Sequence, residues 1–66
     1  MAKLPRTRAF LIQFSDQTKP DARILDGRIE HVESGLRGRF ASREELWAFI
    51  ERVLAREAKG NGEDLA

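Results

Sequence analysis

The stretch Ser42-Arg43-Glu44-Glu45, followed by Leu46, Phe49, Ile50, Val53 and Leu54, limits most strongly what this chain can become. A serine three residues before a glutamate forms a capping box: the hydroxyl accepts from the Glu45 N–H, and the carboxylate reaches back to the Ser42 N–H. The apolar residues then recur at spacings of three and four, the period of one helix face. Glu44 and Glu45 suit the positive end of the helix dipole, while Arg52, Arg56 and Lys59 gather toward the negative end. Gly60 predicts a stop. A C-terminal helix with one apolar stripe follows, and residues upstream must cover that stripe.

The upstream sequence changes period. Phe10, Ile12 and Phe14 alternate with Ala9, Leu11 and Gln13, so Arg8 to Ser15 reads as a strand with one strongly apolar face. Asp16 to Asp21 is turn chemistry. After Ile24-Leu25, the Asp26-Gly27 pair predicts a bulge in one longer strand, with a tight turn as the alternative. Arg28–Glu33 and Leu36–Ala41 read as two strands joined by Ser34-Gly35. A two-residue connection sets Glu33 against Leu36, Val32 against Arg37, His31 against Gly38, Glu30 against Arg39 and Ile29 against Phe40. Ile29, His31, Leu36, Gly38 and Phe40 then share one face; Arg28, Glu30, Val32, Arg37, Arg39 and Ala41 share the other. The expected fold is α+β: a three-stranded antiparallel β meander packed on one C-terminal α-helix, in the order β-β-β-α.

The chain has 66 residues, no cysteine and one histidine, which suits one small domain and excludes a disulfide framework and a cysteine-based zinc site. Residues 8–58 are expected to form the domain, between flexible tails at 1–7 and 59–66. The expected core is Phe10, Ile12, Phe14, Ile29, Leu36, Phe40, Leu46, Phe49, Ile50, Val53 and Leu54. So few residues supply only about 2 kcal/mol each, and dimerisation is one way to bury more. The longest apolar run, Ala9 to Ile12, is far short of the roughly 20 residues of a membrane helix, so no membrane partner is expected and the cytoplasm is the default location.

Gly27-Arg28-Ile29-Glu30-His31-Val32-Glu33-Ser34-Gly35, then Phe40-Ala41-Ser42-Arg43-Glu44-Glu45-Leu46 and Phe49-Ile50, resembles a group of small uncharacterised bacterial single-domain proteins. With the Phe10–Phe14 strand, the resemblance covers about two-thirds of the chain. It implies a bacterial origin and a compact domain. The group has no established function, so no functional residue carries over.

Little chemistry converges. His31 reads as a half-buried structural histidine bonded to a backbone carbonyl or a neighbouring side chain. A metal site built on it with Glu33 and Asp26 has only one imidazole, too few ligands for catalytic zinc. Ser34 is committed to a turn and Ser42 to a cap, so neither is a free nucleophile. No catalytic, cofactor or metal residue is assigned. Lys and Arg number 12 against 11 Asp and Glu, and the isoelectric point near 8.3 is modest for a dedicated nucleic-acid binder. Arg28, Arg37 and Arg39 nevertheless share the outer sheet face, where they could neutralise phosphates. Leu11 and Val32 add apolar surface to that face, and Trp47 forms a flanking row with Ile50 and Leu54 on the helix. The expected function is a non-enzymatic protein–protein interaction module that self-associates as a homodimer or takes a protein partner through Leu11, Val32 and Trp47. The alternative is a nucleic-acid-binding module using Arg28, Arg37 and Arg39.

Overall fold

A computed structural model of the protein describes residues 2–65, with side chains described through Ala58. Three strands and one helix follow in chain order: β1 (Phe10–Phe14), β2 (Gly27–His31), β3 (Arg37–Phe40) and α1 (Arg43–Leu65). The strands form an antiparallel meander in the order β1-β2-β3, so the architecture is the β-β-β-α arrangement that the two periodicities predict. The helix continues past Gly60 to Leu65, beyond the predicted stop. The expected tail at 59–66 lies outside the residues whose side chains are described.

Ser42 caps the helix, its Oγ accepting from the Glu45 N–H at 3.1 Å. The return bond falls one residue earlier than the sequence suggests: Glu45 Oε1 accepts from the Ala41 N–H at 2.6 Å. That bond ties the start of α1 to the residue just beyond β3. Phe49 extends the attachment. A Cβ on Gly38 of β3 would lie 2.7 Å from the Phe49 ring, so the missing side chain is what lets the ring rest on the strand. Ile29, Phe40, Phe49 and Val53 form the buried core, with Phe10, Leu25, Leu46 and Ile50 packed against it.

The β2–β3 register differs from the sequence reading. Ile29 faces Gly38, not Phe40, and Glu30 faces Arg37, not Arg39. Two more residues join the connection because His31, not Glu33, closes it. The His31 N–H donates to the Leu36 carbonyl at 2.8 Å, and the Gly35 N–H donates to the His31 carbonyl at 2.8 Å. Gly35 adopts φ 77° to make that turn, a conformation that a Cβ disfavours. A slip of two residues keeps every side chain on its expected face. Ile29, His31, Gly38 and Phe40 therefore still point at the helix. The space over Gly38 is filled by Phe49, and His31 lies opposite Phe10.

Asp26-Gly27 is neither the expected bulge nor a tight turn. Gly27 opens β2 opposite Phe14, without positive φ, and a Cβ there would collide with the Gln13 carbonyl and lie 2.9 Å from the Phe14 Cα. Its smallness admits β1. Asp26 closes the long β1–β2 loop: its carboxylate accepts from the Ser15 hydroxyl, and its backbone exchanges two bonds with the Thr18 hydroxyl at 2.7 and 2.9 Å.

Gly38→Ala is expected to lower the unfolding free energy by about 1–3 kcal/mol through overpacking. Part of that loss should return in Gly38→Ala/Phe49→Leu. Urea denaturation of the two variants and the parent checks both statements.

Candidate functional site

The helix covers the sheet unevenly. Phe49 and Glu45 attach it to β3 and the residue after it, and Glu57 accepts from Arg8 Nη2, just before β1, at 3.2 Å. At roughly 100° per residue, Ile50, Leu54 and Trp47 lie on the Glu57 side of the helix, progressively farther from the core line. That flank overlooks β1. Phe10, Ile12 and Phe14 share their face with His31, Ile29 and Gly27 and so point toward the helix layer. Yet Ile12 is 38% exposed and Phe14 52%.

Ile12, Phe14 and the Leu36 side chain, all expected in the core, are therefore uncovered. One helix is about 10 Å wide and cannot shield three strands about 4.8 Å apart once it is anchored over the last of them. The result is an incompletely covered apolar face on β1, next to the helix flank that carries Ile50, Leu54 and Trp47. Trp47 is 57% exposed on that flank, while Phe14 sits edge-on to Phe40, with ring centroids 5.9 Å apart.

The three predicted interface residues do not form one patch. Trp47 lies on the helix flank next to the uncovered face. Leu11 is opposite Glu30 on the outer sheet face, and Val32 lies beside the start of β1, its N–H donating to the Ala9 carbonyl at 3.1 Å. Alternation in the strand identified Leu11, but it could not reveal that Ile12 and Phe14 would also be open. Their exposure depends on where the helix lands.

On the outer face, Arg28 of β2 stands directly opposite Arg39 of β3. These residues occupy the closely spaced kind of antiparallel pair, because the hydrogen-bonded positions fall on His31–Leu36 and alternate from there. Glu30 pairs with Arg37 at 3.5 Å, not with Arg39 as the expected register has it. Arg28 Nε donates to Gln13 Oε1 at 2.8 Å. The Arg39 side chain has no ion-pair or hydrogen-bond partner among the described residues. Like charges facing each other across strands are destabilising, so this pair is a place where an anion would be welcome.

His31 is buried and doubly held. Its Nε2 lies 2.7 Å from the Thr7 carbonyl and its Nδ1 lies 2.7 Å from Ser34 Oγ. A carbonyl only accepts, so Nε2 carries a proton; in the neutral ring, Nδ1 then accepts from the Ser34 hydroxyl. The Leu36 N–H donates to the same Ser34 oxygen at 3.1 Å, so the hydroxyl both donates and accepts within the loop. The set is a clamp that joins the 3-10 turn Arg6–Arg8 to the β2–β3 loop. The segment expected as a tail through Thr7 is thus held at its inner end.

Other depressions offer less. A depression of about 260 Å³ beside His31 is lined by Ser34, Leu36, Val53 and Arg56 among others, a volume below the roughly 300–1,000 Å³ of ligand pockets. A larger one, about 480 Å³, is lined by Pro20, Arg23, Leu25, Arg43 and Glu44; its one carboxylate already lies 3.8 Å from Arg43. Among the described residues no three His, Cys, Asp or Glu side chains gather where they could hold a metal ion, and no helix is long and apolar enough to cross a membrane.

No protein-family model, curated protein or solved structure matches the chain.

His31→Ala removes both clamp bonds and strands the Thr7 carbonyl, and is expected to lower stability by about 2 kcal/mol. Ser34→Ala, which leaves the Thr7 bond, is expected to cost about 1 kcal/mol. Thermal and urea unfolding followed by circular dichroism measure both.

Proposed function

We propose that this protein is a small, non-enzymatic, cytoplasmic interaction module that self-associates through the uncovered apolar face of β1 and the adjoining Trp47 flank of α1. The supporting observation is the exposure of Ile12 and Phe14 on the side of the sheet that faces the helix layer. Apolar side chains directed toward a core but left in water are unfinished burial. Aromatic side chains bury about 150–250 Å² each when enclosed. Phe14 and Trp47, both more than half exposed, therefore leave roughly 80–140 Å² apiece in reserve on that scale. A second copy adds the same reserve from its own β1 face and helix flank, and a two-fold contact uses it twice. The thin core, with only four buried apolar residues among those described, leaves much to gain from association.

Sedimentation velocity across a concentration series tests this reading. The expected species at micromolar concentration has twice the 7.5 kDa chain mass. Trp47→Ala and Phe14→Ser are each expected to weaken association at least tenfold while leaving the circular dichroism spectrum unchanged; a chain that remains monomeric at high micromolar concentration refutes the reading.

The Arg28–Arg39 pair favours a second reading, in which the outer sheet face binds nucleic-acid phosphates. It is supported by the unpartnered Arg39 and the freedom of two Arg28 nitrogens beyond the Nε bond to Gln13. The affinity for labelled duplex would then fall steeply between low and moderate salt. Arg28→Ala and Arg39→Ala should each weaken binding and reduce the salt dependence; affinity insensitive to both substitutions removes this reading.

A further inference from the structure

We infer that the second copy docks along the free edge of β1, joining two three-stranded sheets into one six-stranded antiparallel sheet with a two-fold axis at Ile12. This rests on the self-association reading and specifies its geometry.

The backbone pattern identifies the available groups. The Val32 N–H donates to the Ala9 carbonyl and the Ser15 N–H to the Asp26 carbonyl. With the β1–β2 register, alternation in an antiparallel ladder assigns residues 9, 11, 13 and 15 to bonds with β2. Phe10, Ile12 and Phe14 consequently direct their N–H and C=O groups outward along the free edge. The edge has none of the usual protection. Phe-Leu-Ile-Gln-Phe contains no charge, proline or glycine, and it carries exposed apolar side chains on both faces.

One register uses all of these groups. An outward residue of one copy must meet an outward residue of the other. Pairing Ile12 with its counterpart, and each Phe10 with the other copy's Phe14, is the antiparallel alignment that leaves none of the three unmatched.

The axis is perpendicular to the sheet, so both helices lie on the same side. Strand spacing of about 4.8 Å sets the axes of helices lying over β3, or between β2 and β3, roughly 19–24 Å apart, against about 8–10 Å for helices in direct contact. The intervening trough has the two β1 strands as its floor and a Trp47 flank on each side. Phe10, Ile12 and Phe14 from both copies rise into it. A second identical copy supplies the matching wall. Leu11, on the opposite face of the same strand, comes to lie beside Gln13 of the partner, so the seam draws two of the sequence-identified residues, Leu11 and Trp47, to its two sides.

Amide hydrogen exchange of the unmodified protein by NMR, across a concentration series, reads the seam directly. The expected result is at least tenfold slower exchange of the Ile12 N–H at high concentration than at low concentration, in step with the dimer fraction from sedimentation. Ile12→Cys provides a second readout in a chain that has no cysteine. Hydrogen-bonded antiparallel partners have Cα atoms about 5.5 Å apart, within the roughly 4.4–6.8 Å span of a disulfide. With oxidised glutathione as oxidant, this variant should form a covalent dimer at least tenfold faster than Glu51→Cys, placed on the exposed far side of the helix. A dimer whose Ile12 N–H exchanges as fast as in the monomer, or whose two cysteine variants cross-link at equal rates, overturns the edge pairing while self-association stands. A monomer at every concentration overturns both and leaves the β1 edge to a strand from a different protein.

Discussion

The contact of the Phe49 ring with the bare backbone of Gly38 sets the position of everything else. It fixes α1 over β3, and the bond from the Ala41 N–H to Glu45 holds the helix start to the same side of the sheet. A single helix anchored there shields β3 and most of β2. β1 is left with its ladder to β2 but without a complete roof. The exposure of Ile12 and Phe14 follows from this placement, because the side chains of β1 point the right way for a core that the helix does not reach.

The His31 clamp solves a different problem. A four-residue connection from Val32 to Gly35 is longer than the strands require, and a short hairpin of this kind has little stability alone. His31 gathers the Thr7 carbonyl and the Ser34 hydroxyl, and Ser34 in turn holds the Leu36 N–H. The loop, the N-terminal turn and the ends of two strands become one hydrogen-bonded unit. The imidazole is buried with both nitrogens occupied, so its contribution is positional. The ring also lies 5.1 Å from Phe10, linking this unit to the start of β1.

The outer face shows how a change of register alters electrostatics without altering which residues face solvent. Moving Ile29 from Phe40 to Gly38 keeps all three arginines outside. It gives Glu30 to Arg37 and brings Arg28 against Arg39. A neutralised face becomes one with a paired half and a repulsive half. The first suits a solvated surface; the second suits an anion.

Much of the fold could be read from the chain itself. The capping box and the three-four spacing specified a helix beginning after Ser42, and period-two alternation specified which side chains of each strand face it, because both patterns depend only on local backbone geometry. The extra two residues in the β2–β3 connection were not legible: two- and four-residue connections put the same side chains on the same faces, and the bonds among His31, Ser34, Gly35 and Leu36 that select the longer one leave no mark in the alternation. Gly27 read as a bulge or turn glycine and Gly38 as the small residue opposite His31, whereas Gly27 admits the β1 backbone and Gly38 admits the Phe49 ring, neighbours that only the assembled fold brings close. The exposure of Trp47 was legible from its place on the helix, whereas Ile12 and Phe14, read as ordinary core, are exposed. By itself, then, the sequence determined the elements and their apolar faces. The tertiary structure decided how far one helix extends over three strands, because coverage depends on widths and anchoring points that no local pattern records.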